Sequence, residues 1–347
     1  MNQQSFRRIL IIQTAYIGDV ILMTPLIEAA SAAFPKAQID VLVNQGNASL
    51  LTNHPKINEL LLWDKKEQKN RNLMRLLRTV RINSYDVVFN CHRYTSSGIL
   101  TILSRASYKV GFNSNSLARW YDLRVPHEMK AGKHEVDRNL ALLEALVPNL
   151  NTTDLERRPR LYPSQNDEEA VTTYQNEPYL CLAPTSVWYT KQFPTSRWVQ
   201  LLDILKFEGK VYLLGGSNDM VACDEVRVAS KRENVINLAG KLSLLQSAVL
   251  MKRAVLNYVN DSAPLHLASA MNAPVCAIFC STVPSFGFTP LSDFSEIVEI
   301  SKSLSCRPCG IHGYKACPEK HFRCANDIDL AKLVEAFKKA IALNDAV

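Results

Sequence analysis

Short apolar runs recur along the chain. Arg8 to Gln13 (RILIIQ), Ile39 to Val43 (IDVLV), Glu59 to Trp63 (ELLLW), Tyr85 to Asn90 (YDVVFN) and Tyr108 to Phe112 (YKVGF) are separated by longer stretches with helical periodicity. Such alternation predicts a parallel, doubly wound α/β sheet. A second series repeats the pattern at Tyr179 to Ala183, Val211 to Leu214, Val235 to Leu238, Ala254 to Val259 and Pro274 to Phe279. The chain therefore reads as two α/β units in tandem. Asn151 to Asp167 follows neither period and carries Pro159 and Pro163, so it reads as a linker. This places an N-terminal domain with its linker over 1–170 and a C-terminal domain over 171–326. In the tail, 327–347, Leu330, Leu333, Val334, Phe337, Ala340, Ile341 and Leu343 form a helical stripe that must dock on something, and a return to the first domain is one option.

A length of 347 residues exceeds one ordinary core and agrees with two. With 47% hydrophobic and 21% charged residues, the composition is that of a globular protein, not a fibrous or disordered one. No apolar run is long enough to span a bilayer, and the first residues lead into a strand rather than resembling an export signal, so a cytoplasmic protein is expected. Forty Lys plus Arg against 33 Asp plus Glu leave a formal charge of +7, which suits an anionic substrate or membrane surface. No nucleic-acid motif accompanies it.

In open parallel sheets, ligands bind beyond the carboxyl ends of the strands, so the loops there are where chemistry is sought. The first such loop, Gln13 to Asp19, opens an amphipathic helix. Asp19 reads either as a helix cap or as a carboxylate general base, and Thr24 with Pro25 offers a second helix start that would free Asp19 for the latter work. The second loop, Ala183 to Pro194, contains Thr185, Ser186 and Lys191. Lys191 reads as a solvated surface lysine, as a cation over Trp188 or Tyr189, or as a point charge for a diphosphate. The third runs from Asn260 into an alanine-rich helix, where Asp261 or Ser262 could cap and His266 could be a buried core histidine. Together the three make a polar cluster at a helix end that favours anions. Gly215-Gly216 and Gly240-Lys241 follow further strands as tight turns or as close approaches to a nucleotide.

Nine cysteines in a chain expected to stay reduced point away from a disulfide framework. Cys306, Cys309, Cys317 and Cys324, spaced C-x2-C-x7-C-x6-C, fit a small zinc knot or a compact loop of buried reduced thiols. Lys65, Lys66, Lys69, Arg71, Arg75, Arg78 and Arg81 form a basic stretch, either a solvated helix face or a surface for an anionic partner or lipid leaflet. His92, Arg93, Ser96 and Ser97 follow the Tyr85 strand, where a loop opens beyond the sheet.

Gly18-Asp19 with Met23-Thr24-Pro25-Leu26, Lys191-Gln192-Phe193-Pro194 with Trp198, Asn237 to Lys241, Asn260 to Ala268 and the Cys306 to Cys324 cluster occur in this order over nearly the whole chain. That ordered set resembles the lipopolysaccharide heptosyltransferases of glycosyltransferase family 9, especially their heptosyltransferase II branch. The resemblance implies a GT-B fold, with two Rossmann-like domains facing across a cleft, the first binding acceptor and the second donor. It implies inverting, metal-independent transfer of heptose from ADP-heptose to the inner core of lipid A-linked oligosaccharide, with no cofactor and no nucleic-acid partner. Peripheral contact with the cytoplasmic face of the inner membrane would follow. By the same resemblance Asp19 is the base and Lys191 the phosphate-binding residue. Thr185, Ser186, Asp261, Ser262 and His266 line the donor, and Asp219 and Leu242 lie near its adenosine. Placement makes His92, Arg93, Ser96 and Ser97 the acceptor candidates. Ala263 stands where the family has glycine, a departure at a close approach to the donor. The alternatives are a family 9 transferase using another nucleotide sugar or glycan acceptor, and a catalytically silent nucleotide-binding or zinc-organised interaction protein.

Overall fold

The computed structural model describes residues 6–65, 67–129, 132–148, 150 and 155–344. Lys66 of the basic stretch, 151–154 of the expected linker and 345–347 of the tail lie outside the described residues. Contacts divide the chain into two compact units, Met1–Glu128 with Lys133–Tyr162 and Met129–Gly132 with Pro163–Val347. The second unit thus takes up inside the stretch read as a linker. Its polar residues start a helix there: the Ser164 amide donates to Asp167 Oδ2 at 2.9 Å while the Asp167 amide donates to Ser164 Oγ at 3.2 Å. These reciprocal bonds cap α5 (Gln165–Glu169), which packs on α8 (Leu244–Lys252).

Unit 1 holds β1 (Arg8–Gln13), β2 (Gln38–Asn44), β3 (Glu59–Trp63), β4 (Val87–Asn90), β5 (Tyr108–Phe112) and β6 (Leu123–Val125) in the order β3-β2-β1-β4-β5-β6. Unit 2 repeats this with β7 (Tyr179–Ala183), β8 (Lys210–Leu213), β9 (Val235–Asn237), β10 (Leu256–Asn260), β11 (Val275–Phe279) and β12 (Ser295–Glu299) in the order β12-β11-β10-β7-β8-β9. All pairings are parallel. Each sheet is therefore a complete doubly wound sheet whose direction of winding switches between its first and fourth strands. In unit 1 that pair ends with Ile12 beside Asn90, and in unit 2 with Ala183 beside Val259.

The central strands are buried along their length, as parallel strands covered on both faces must be. Unit 1 buries Leu10, Ile12, Trp63, Val80 and Val88 in one cluster, and unit 2 gathers Leu182, Phe193, Trp198, Tyr258 and Ile278 in another. The tail stripe docks in this second core. Leu333, Ala336, Phe337 and Ala340 of α11 (Leu330–Asn344) are buried there against α6 (Thr195–Leu205) and β12, and Tyr258 Oη donates to the Leu333 carbonyl at 2.7 Å. Among the described residues, no helix is long and apolar enough to cross a membrane.

Helix α1 (Ile17–Ala33) begins at neither of the two starts considered above, because Tyr16 is its N-cap and both Thr24 and Pro25 lie inside it. Proline lacks the N–H that would bond the Ile21 carbonyl four residues back. The Thr24 hydroxyl donates to that carbonyl instead, at 2.8 Å, and accepts the Arg160 amide at 3.0 Å. Burial of Thr24 makes both bonds matter. Thr24→Val is expected to destabilise unit 1 by about 1–3 kcal/mol, with Thr24→Ser close to wild type. Urea unfolding of the two variants checks this, and equal midpoints would refute it.

Candidate functional site

The polar side chains collect at the switch point of each sheet, so each unit carries its own polar cluster. In unit 1 the loop after β1 leads straight into α1. Asp19 sits in the third helical position, where its Oδ2 accepts the Tyr16 amide at 3.1 Å. The capping reading is thus half correct: the carboxylate serves the helix start from inside the helix, not from the cap. It remains half-buried rather than sealed. Its pKa is raised to about 6 by loss of water, with the charge of Glu135 adding to the rise and the amides of Tyr16 and Asp19 opposing it. Glu135 opens α4 (Glu135–Leu146) and is buried. Burial alone would raise its pKa, but a hydrogen bond from His127 Nε2 at 3.2 Å and the Arg138 guanidinium at 2.6 Å hold it below the ordinary value.

The loop after β4 brings His92 to the same switch point. His92 Nδ1 shares a hydrogen bond with Thr14 Oγ1 at 3.0 Å, which ties the β4 loop to the β1 loop. Burial, helped by the cations of Lys65 and Arg93, lowers the pKa of His92 to about 4, so its imidazole is neutral at pH 7. Lys65 lies over the Trp63 ring and donates to the Thr14 carbonyl at 2.5 Å. Arg93 lies over the Tyr94 ring, and Ser96 is half-buried. Ser97 is sealed, and its hydroxyl donates to the carbonyls of His92 and Tyr94 at 3.1 and 2.8 Å. It holds the loop instead of offering a hydroxyl to a ligand. On α2 (Lys69–Asn83), Lys69, Arg71, Arg75 and Arg78 are exposed, whereas Arg81 bonds the Leu103 carbonyl.

In unit 2 the loops after β7 and β10 meet. Lys191 Nζ lies 2.7 Å from Asp261 Oδ2, both largely covered, and Thr282 Oγ1 donates to the same oxygen at 2.6 Å. Neither Trp188 nor Tyr189 takes up the ammonium: Trp188 stacks on His312 and Tyr189 on Phe322. Asp261 immediately precedes Ser262, the N-cap of α9 (Ala263–Ala270). Ser262 makes no side-chain cap bond, and its hydroxyl reaches only the carbonyls of Thr185 and Asn260, both at 3.5 Å. The amides at the start of α9 therefore have no side-chain cap, an arrangement suited to an anion. Thr185 and Ser186 are half-buried, and the Ser186 carbonyl is held by Gln192 Nε2 at 2.7 Å. His266 is buried with its ring near Phe288.

Asp219 and Leu242 lie one loop further along the sheet. Asp219 Oδ2 accepts the Gly216 amide at 2.8 Å, and the Gly240 amide donates to the Gly215 carbonyl at 2.9 Å, which sets the loops after β8 and β9 side by side. Leu242 is half-buried next to this junction. Gly240 needs to be glycine: its φ is +73° and a Cβ would come within 2.9 Å of the Ser217 Cα.

Two of the four clustered cysteines, Cys309 and Cys324, are buried. Burial followed by Cys309 and its neighbours pushes Cys324 up to about 12, and burial raises Cys309, so these two are protonated thiols at neutral pH. Among the described residues, no group of three or more His, Cys, Asp or Glu is arranged to hold a metal ion. Sequence reasoning missed Thr14, His127, Glu135 and Thr282. Thr14, Glu135 and Thr282 act through partners distant in the chain, and only Thr14, adjoining the Asp19 loop, carried a local signal.

The fold is that of two tandem doubly wound α/β units with one strand order. The family model described as "Glycosyltransferase family 9 (heptosyltransferase)" matches residues 73–317, and the chain belongs to that family. It is a glycosyltransferase of GT-B fold. Escherichia coli K12 lipopolysaccharide heptosyltransferase 3 is 28% identical over 278 residues, covering 77% of this chain and 80% of the relative. E. coli ADP-heptose lps heptosyltransferase II superposes with a TM-score of 0.80 at 22% identity, over 97% of this chain and 99% of that one. A family 9 glycosyl transferase from Veillonella parvula gives 0.84 at 21% identity, over 97% of each chain.

Asp19 carries a signature in stability. Its folded pKa of about 6 lies above the 3.8 of a free carboxyl. The folded state therefore holds the Asp19 proton more tightly, and the resulting stabilisation is complete below about pH 4 and lost as pH rises through about 6. Asp19→Asn removes the charge. The variant should exceed wild type by about 1–2 kcal/mol at pH 7.5, after allowance for solvent screening, and converge with it near pH 4. Denaturation midpoints across that range decide, and a difference independent of pH would reject the raised pKa.

Proposed function

We propose that the protein transfers heptose from ADP-heptose to an inner-core sugar of lipopolysaccharide, with inversion at the anomeric carbon and without a divalent ion. Family membership supports heptosyl transfer, and the names of the relatives supply the donor and acceptor classes. The observation that carries the reading is the Lys191 ammonium, seated 2.7 Å from Asp261 at the mouth of α9. A diphosphate there meets a fixed cation and helix amides, the charge stabilisation that a leaving ADP needs.

Unit 1 supplies the base. The acceptor hydroxyl passes its proton to the Asp19 carboxylate as its oxygen attacks C1 of the heptose. The bond from C1 to the phosphate oxygen breaks on the opposite face, and the electron pair leaves on ADP. A carboxyl with a pKa of about 6 is ionised at neutral pH yet more basic than an ordinary aspartate, which suits it to general-base work. Lys191 and the α9 amides meet the charge that develops on the diphosphate. Asp261, held by Thr282, keeps the ammonium in place between turnovers. The base and the cation act on the same sugar, and exclusion of water keeps it from accepting the heptose.

In this reading the N-terminal domain takes the acceptor and the C-terminal domain the donor. Thr185, Ser186, Ser262 and His266 belong to the donor half, with Asp219 and Leu242 toward the adenosine. His92, Arg93 and Ser96 face the acceptor. The exposed cations of α2 would meet the phosphates of the acceptor or an anionic leaflet, placing the enzyme on the cytoplasmic face of the membrane.

Incubation with ADP-heptose and truncated core lipid should yield a product one heptose heavier, with the anomeric configuration opposite to the donor's. Asp19→Ala should lower kcat by about 10²–10⁴-fold while ADP still protects against thermal unfolding. Lys191→Ala should weaken ADP binding by roughly 10–100-fold, the worth of a charge-assisted contact. In wild type the acidic limb of kcat/KM should fall near pH 6. Retained turnover in Asp19→Ala, or an acidic limb near pH 4, would remove Asp19 from the role. Stronger thermal protection by another nucleotide sugar would move the donor assignment to that sugar.

A further inference from the structure

The turn bearing Lys191 is held by a segment more than a hundred residues away. Thr190 has no exposed surface. Its Oγ1 accepts the Tyr314 amide at 2.8 Å and the Ser281 hydroxyl at 3.0 Å, while its own amide donates to the Tyr314 carbonyl at 3.1 Å. The seat is close-fitting. Gly313 has φ +80°, and a Cβ there would lie 2.9 Å from Thr190 Oγ1 and 3.3 Å from both Lys191 Cγ and Ser281 Oγ.

The far side of this seat is anchored to the end of β11. Arg307 donates to the carbonyls of Phe279, Cys280 and Thr282 at 3.2, 2.7 and 2.6 Å, and the Cys309 amide donates to the Ser281 carbonyl at 2.9 Å. The same strand end supplies Thr282, which orients Asp261. One short segment, 279–282, therefore fixes the partner of Lys191 directly and its backbone through Thr190.

We propose that Thr190 is a positioning residue for the transfer, setting the Lys191 ammonium from the Gly313–Tyr314 turn of the cysteine-rich loop. This rests on Lys191 being the cation for the diphosphate. A lysine is a point charge on a flexible stem, so its placement depends on how firmly its backbone is held. Replacing the Thr190 hydroxyl by a methyl leaves two buried donors unpaired beneath that backbone.

The test compares Thr190→Val, Thr190→Ser, Gly313→Ala, Lys191→Ala and the double variant Thr190→Val with Lys191→Ala in the full chain. ADP affinity is read by calorimetry, donor KM and kcat by turnover, and folding by thermal midpoint. Thr190→Val and Gly313→Ala are expected to weaken ADP and raise donor KM by roughly tenfold, as loss of buried hydrogen bonds allows. Thr190→Ser, which keeps the hydroxyl, should stay within about threefold of wild type. In the Lys191→Ala background, Thr190→Val should add less than about twofold, because the two act through one ammonium. Additive losses in the double variant, or Gly313→Ala and Thr190→Val binding ADP as wild type while Lys191→Ala does not, would overturn the proposal alone. Unchanged ADP affinity in Lys191→Ala would overturn the reading of Lys191 and the proposal with it.

Discussion

A lysine ammonium and an aspartate carboxylate held 2.7 Å apart, both mostly out of water, set the terms for unit 2. Such a pair gives up hydration on both sides, and its net contribution to stability is small unless its remaining bonding capacity is met. Here Thr282 engages the carboxylate, leaving the rest of the ammonium's donors for a ligand. The pair is thus a poor staple for the fold. Its position requires three strand ends to agree: β7 for Lys191, β10 for Asp261 and β11 for Thr282. The cysteine-rich loop contributes by packing beneath the Lys191 turn, a structural task that its thiols perform in protonated form at Cys309 and Cys324.

Unit 1 solves the complementary problem, keeping a carboxylate basic without neutralising it. A cation placed against Asp19 would lower its pKa and weaken it as a base. Arg138 is committed to Glu135, together with His127. Glu135 stays charged by these partners, and its field adds to the burial that lifts Asp19. The charged form of the Asp19 carboxylate at the start of α1 therefore costs stability at neutral pH. Thr14, His92 and Lys65 bind the surrounding loops to one another.

Much of this was legible in the chain, and the limits have physical causes. β1 and β7 begin and end where their apolar runs do, because a strand covered on both faces has no polar position at which to blur. The two strands that escaped, β6 and β12, lie at sheet edges, where burial is partial and the apolar signal weak. The start of α1 was obscured by Thr24 and Pro25, which imitate a helix entry yet sit in mid-helix because the threonine hydroxyl replaces the bond that proline removes. At the site, Asp19, Lys191 and Asp261 were legible because each follows a strand. Glu135 and Thr282 were not, since what matters about them is a partner that sequence spacing does not reveal. Ser97 shows the opposite error: a polar residue in a promising loop whose hydroxyl is consumed by its own backbone.

The two units share one strand order, so their loops can be matched one to one. The loop after the first strand carries Asp19 in unit 1 and Lys191 in unit 2, while the loop after the fourth strand carries His92 in unit 1 and Asp261 in unit 2. In both, these loops flank the place where the winding reverses and helix starts on either side leave a crevice. Identical scaffolding therefore holds a basic carboxylate in one unit and a cation in the other. The difference lies in what stands behind each loop. Behind Asp19 is a second carboxylate whose compensating cations are already spent, and behind Lys191 is a carboxylate that claims only part of the ammonium. A carboxylate of raised pKa and a largely covered ammonium thus arise from the same topology, according to which charges the neighbouring strand or helix supplies.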